Sequence, residues 1–99
     1  MSEKLYDSAY VLAAEHQRAA ASAVLEELAA EFTDAEPDTI YEAADRAMQL
    51  RLAALEFARK VWARTYPYEK AVESLHSQFT EFPDSTVDRA FSDAYTETR

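Results

Sequence analysis

The stretch Phe32-Thr33-Asp34-Ala35-Glu36-Pro37-Asp38-Thr39 decides the fold. Upstream of it, helix formers run with 3.6-residue periodicity from about Lys4 to Phe32; downstream the periodicity resumes and continues to about Tyr66. Between them stand acids, a proline and hydroxyls, which stop one helix and start another. Thr39 with Glu42 three residues on reads as a capping box, and Asp38 is a competing cap. A corner this short lays the two helices side by side, so the stretch predicts an antiparallel pair.

The corner has an echo. Leu28, Phe32, Thr33, Asp34, Thr39, Ile40, Ala43 and Ala47 match Leu75, Phe79, Thr80, Glu81, Thr86, Val87, Ala90 and Ala94 at a spacing of 47. Both copies read as helix, Phe-Thr-acid, a Pro-Asp, a hydroxyl cap, then helix. A duplicated helical hairpin, with halves at 1–50 and 51–99, accounts for the match. So does the common chemistry of stopping and starting any two helices.

Working outward, the first helix carries one apolar stripe at Val11, Ala14, Ala21, Leu25, Leu28 and Phe32, and a second at Leu5, Ala9, Leu12, His16, Ala19 and Ala23. The second helix, about Thr39 to Tyr66, has Ala43, Ala47, Leu50, Ala54, Phe57 and Val61 on one stripe and Met48, Leu52, Leu55, Trp62 and Tyr66 on the next. Two stripes imply more than one neighbour, which makes this the central helix. Pro67 breaks the chain. A third helix spans about Tyr68 to Phe79, and a fourth opens at Ser85 with Val87, Ala90, Phe91, Ala94 and Tyr95 inward. The expectation is a single all-α domain, an irregular four-helix bundle with two long antiparallel helices and two short C-terminal helices.

Composition narrows function by exclusion. None of the 99 residues is glycine. Phosphate-cradling loops, dinucleotide fingerprints, EF-hand loops and nucleophile elbows all need glycine for positive φ or close backbone approach. There is no cysteine, so no disulfide scaffold or thiolate metal site. No apolar run approaches a membrane span, and Met1-Ser2-Glu3-Lys4 lacks the layout of a secretory signal, so a cytoplasmic protein is expected. The net charge of −9 disfavours direct contact with nucleic acid or an anionic membrane.

Charge is unevenly spread. Glu26, Glu27, Glu31, Asp34, Glu36, Asp38, Glu42 and Asp45 form an acidic block with no base among them, and Arg46, Arg51, Arg59, Lys60, Arg64 and Lys70 follow against Glu56 and Glu69. Acids at the start of helix two and bases at its end suit the helix dipole. Glu26, Glu27 and Glu31 do not, because they crowd the C-terminal end of helix one. A cationic partner would relieve that repulsion. The candidate partner-binding residues are therefore Glu26, Glu27, Glu31, Asp34, Glu36, Asp38 and Glu42. A second candidate surface is Arg59, Arg64, Tyr66 and Tyr68, where bases and aromatics interleave. Antiparallel pairing would bring that basic end near Tyr6, Asp7 and Tyr10.

Catalytic signals are absent. Glu73-Ser74-Leu75-His76 has the Glu-x-x-His spacing of di-iron bundles, yet the only other histidine, His16, follows Ala13 at that spacing. Asp34-x-Glu36-x-Asp38 imitates the start of a calcium loop, but Thr39 stands where its glycine belongs. The expectation is a non-enzymatic protein–protein interaction module without a cofactor, a small acidic inhibitor, adaptor or immunity-type protein that meets a basic protein surface. One alternative is an acidic mimic of nucleic acid, of the kind phages encode against host defence, which occupies the basic groove of a nucleic-acid-binding protein. Another is a homodimeric bundle with a metal site using Glu73 and His76. Self-association is also open, because two wide apolar stripes per long helix leave area to cover.

Overall fold

The computed structural model describes residues 2–15 and 21–98. Regular structure among the described residues is all helical: α1 (Ser2–Glu15), α2 (Ala21–Glu31), α3 (Pro37–Trp62), α4 (Tyr68–Gln78) and α5 (Asp84–Thr98). None of these helices is long and apolar enough to cross a membrane.

The single long first helix is not what forms. Ser8 on α1 donates to the Glu31 carboxylate at the end of α2, 3.2 Å away. In one continuous helix those residues would lie about 35 Å apart at 1.5 Å per residue. The chain therefore folds back between α1 and α2, giving five described helices where four were expected. The expected stripe members His16 and Ala19 lie outside the described residues.

Folding back inverts α1. It runs in the same sense as α3, with Tyr6 edge-on to Phe82 and Tyr10 donating to Asp93 at 2.8 Å. The expected approach of Tyr6 and Tyr10 to the basic end of helix two is thereby overturned. The remaining helices alternate in direction. Arg46 on α3 reaches the end of α4 at the Gln78 carbonyl, and Tyr68 at the start of α4 meets Phe91 and Tyr95 on α5.

Helix α3 packs against all four others. Its buried seam of Ala43, Ala47, Ala54 and Ala58, with Leu50 between, presents almost no side-chain bulk, so neighbours approach its backbone closely. Larger groups fill in from outside: Tyr10, Leu28, Leu75 and Phe91 are all fully buried. The second stripe forecast for this helix behaves differently. Met48, Leu55 and Tyr66 pack half-buried against the core, while Leu52 is 61% exposed and Trp62 41%, so that stripe lies at the border of the core.

Local chemistry sets the ends of α3. Pro37 occupies its first turn, where the fixed φ suits the helix, behind an extended Glu36. No side chain caps this end, so the expected capping box at Thr39 and Glu42 does not form; the helix starts two residues earlier. At the far end Arg64 N–H donates to the Val61 carbonyl and Thr65 N–H to the Lys60 carbonyl, both at 3.0 Å. This Schellman arrangement needs a left-handed residue, and Arg64 supplies it at φ 62. Glycine usually takes that place; here an arginine bears a conformational cost of about 1 kcal/mol.

The two corners forecast from the echo share one backbone course. Shifted by 47, α2 and α4 have equal bounds, and α3 and α5 start together. Phe32 N–H bonds the Leu28 carbonyl (2.8 Å) as Phe79 bonds Leu75 (3.0 Å); Ala35 bonds Phe32 (3.1 Å) as Phe82 bonds Phe79 (3.2 Å). Ile40 reaches the Glu36 carbonyl as Val87 reaches that of Pro83. Behind them the pairs Leu28 and Leu75, Ile40 and Val87, Ala43 and Ala90 are all buried. The likeness stops at α1, whose buried face (Leu5, Tyr6, Ala9, Tyr10, Ala13) has no counterpart at that spacing on the later part of α3.

Candidate interaction surfaces

The first corner carries the acids. Glu26, Glu27 and Glu31 project from the last turns of α2, Asp34 and Glu36 from the turn, and Asp38 and Glu42 from the start of α3; all seven are exposed. The structure thus brings the first candidate set onto one end of the α2–α3 hairpin. Glu31 accepts the Ser8 hydroxyl, and Glu27 is engaged as well. Among the described residues no cation forms an ion pair with Glu26, Asp34, Glu36, Asp38 or Glu42.

The second corner is charged too, but its charge is answered. Arg46 Nε donates to Glu81 at 2.8 Å and its Nη2 to the Gln78 carbonyl at 2.8 Å, and its guanidinium lies 4.5 Å from the centroid of the Phe79 ring. The Arg46 hydrogen bond holds the Glu81 carboxyl below its ordinary value. Arg51 similarly reaches Glu97 on α5. The run of six bases in the sequence therefore divides: Arg46 and Arg51 serve the interior joints, while Arg59, Lys60, Arg64 and Lys70 remain exposed.

Those exposed bases lie at the other end of α3, at the second candidate surface. Arg59 and Arg64 are open to solvent, and Tyr68 is 47% exposed while packing edge-on to Phe91 and Tyr95. Tyr66 is less available than expected, half-buried with its hydroxyl against Ser74 and its ring against Phe57. Trp62 stacks on Tyr95 at 4.4 Å and donates Nε1–H to the Tyr95 carbonyl. A ring stacked within the chain on one face offers only its other face to a ligand.

His76 turns towards α5, with Nε2 2.7 Å from Asp88 and Nδ1 3.3 Å from Asp84. Glu73 takes no part in that contact and lies exposed near Lys70 and Ser77. No group of three or more His, Asp or Glu placed to hold a metal occurs among the described residues.

Sequence reasoning missed the joints between α1 and α5. Buried Thr86 donates to Asp7 at 2.6 Å, and the buried Tyr10 hydroxyl donates to Asp93. Burial, reinforced by that hydrogen bond, pushes the Tyr10 phenol well above its ordinary value. Tyr6 is also raised, by burial and then by Glu42 and Glu81. The missed signal was the pair Tyr6 and Tyr10, one turn apart on the face that Leu5 and Ala9 already marked as apolar. Compared with known protein families, curated proteins and solved structures, the chain matches none of them.

Proposed function

We propose that this chain is a non-enzymatic binding module whose acidic first corner docks onto a basic surface of another protein. One observation carries the reading: five exposed carboxylates gather at a helix corner with no described cation opposite them. Three of the seven acids sit at a helix C-terminus, where the dipole disfavours negative charge. Such local repulsion raises the free energy of the isolated protein and is released when a cationic surface arrives. A partner that otherwise grips nucleic acid is one such surface, and competition by duplex DNA identifies that case.

The likeness of the corners supports a duplicated hairpin as the origin of the scaffold. The exposed apolar side chains of α3, Tyr41 at 63% and Leu52 at 61%, support an apolar contribution to the contact or to self-association, which light scattering on a sizing column resolves.

The reading is tested by charge reversal at Glu27, Glu31 and Asp34 together. Proteins retained by the wild type at low salt should be basic, should elute as salt rises, and should be lost from the reversed variant while circular dichroism stays helical. Retention of the same proteins by both forms removes the acidic corner from the mechanism.

A further inference from the structure

We infer, resting on the reading above, that the first corner is a receptor for one arginine side chain of the partner protein. Asp34, the face of Phe32 and the Glu31 carbonyl together form it.

The template lies within the molecule. At the second corner Arg46 satisfies three groups at once: the Glu81 carboxylate, the carbonyl of Gln78 at the last turn of α4, and the ring of Phe79. Shifted by 47, those groups become Asp34, the Glu31 carbonyl and Phe32. The backbone holding them is closed by the same hydrogen bonds, so carboxylate, carbonyl and ring have the same order around the turn. What differs, among the described residues, is the cation. Arg46 is committed to the second corner, and Lys4, the basic residue of α1, makes no ion pair among the described residues.

Space is available as well. The second corner places Phe82 in its interior, edge-on to Phe79 and Tyr6. The first has Ala35 at the equivalent position, beside a depression of about 460 Å³ bordered by Leu5, Phe32, Asp34 and Thr39. Phe32 is correspondingly half-buried where Phe79 is only 4% exposed. Among the described residues the first corner thus repeats the frame of the second without its guanidinium and without its inner ring.

The chemistry selects arginine over lysine. A guanidinium donates in two directions within one plane while lying over a ring, so it can bond carboxylate and carbonyl together. An ammonium satisfies the carboxylate but leaves the rest of the frame unused. Asp34 is one methylene shorter than Glu81, so the guanidinium would sit closer to the backbone than Arg46 does.

The experiment is an amide-detected NMR titration of the intact protein with acetyl-Leu-Arg-Leu-amide and its lysine and citrulline counterparts. The arginine peptide should shift the amides of Phe32, Asp34 and Ala35 and bind at least about fivefold tighter than the lysine peptide. Asp34→Asn should weaken it about tenfold, and Phe32→Leu about threefold. The double variant Glu15→Gln/Glu69→Gln, whose exposed carboxylates lie outside the acidic corner, should stay within about twofold. Equal affinity for arginine and lysine overturns the receptor but leaves the acidic docking corner standing. No binding of either cation overturns both. Self-association that disappears in Asp34→Asn also overturns a separate partner, since a second copy would then donate the arginine.

Discussion

At Phe79–Pro83 a turn between two helices is clamped from within, by Arg46 on its carboxylate and carbonyl and by Phe82 in its interior. At Phe32–Glu36 the same hydrogen-bonded turn carries an alanine inside and a carboxylate with no described cation. The backbone of each is set by where α2 and α4 stop; the stability of each is set by side chains that arrive from elsewhere. The difference teaches that a corner can be structurally complete and still electrostatically open. The open one is the place to look for a partner.

That contrast can be broken most forcefully at the two phenylalanines. Phe79→Ala should destabilise the protein by about 3–4 kcal/mol in urea unfolding, whereas Phe32→Ala, half-exposed beside a depression, should cost about 1–2 kcal/mol. Equal losses would mean that the first corner is as tightly filled as the second.

Next in size is the clamp itself. Arg46→Met removes charge-assisted hydrogen bonds worth about 1.5–3 kcal/mol when fully buried; this pair is partly solvated, so about 1 kcal/mol is expected. Because Glu81 is held below its ordinary 4.5, its contribution is present above that pH and is lost as the pH falls through the lowered value. Arg46→Met should flatten this acid limb in pH-dependent denaturation.

The position 47 beyond Arg46 is Asp93, and the two do opposite work: one donates to a corner, the other accepts from Tyr10. Tyr10→Phe should cost about 1 kcal/mol. The Tyr10 phenol is raised in the folded state, so its contribution is complete below its ordinary value of 10.0 and declines as the pH rises above it. Alkaline unfolding should therefore be milder in the variant. The smallest effect runs the other way: Arg64→Gly should stabilise by about 0.5–1 kcal/mol, visible as a higher melting temperature, because glycine meets no penalty at φ 62.

Both corners were legible in the sequence, because Pro37 and Pro83 mark where each helix restarts, although the capping box expected at Thr39 and Glu42 does not form. The buried alanine seam of α3 was legible too, as a periodic pattern within one segment. The break between α1 and α2 was not. It carries no proline or glycine, and the apolar spacing of Ala14, Ala21 and Leu25 continues across it as though the helix did. The forecast direction of α1 failed with that break. The acidic set was read correctly as exposed, yet the division of the bases was not, since nothing near Arg46 in sequence announces Glu81.

One feature of the fold bears on how it is acquired. The heaviest packing joins α3 to α5 and to α1, helices that are not successive along the chain, so much of the structure rests on contacts of long sequence separation, which slows folding. The seam between α1 and α5 spans the longest stretch of chain. Asp7 meets Thr86 and Tyr10 meets Asp93 only when the whole chain has been gathered, and that closure costs the most chain entropy for two hydrogen bonds. Helix α1 should therefore dock late and release early. In hydrogen exchange its amides would open at lower free energy than those of α3, marking a boundary of cooperativity inside a chain of only 99 residues.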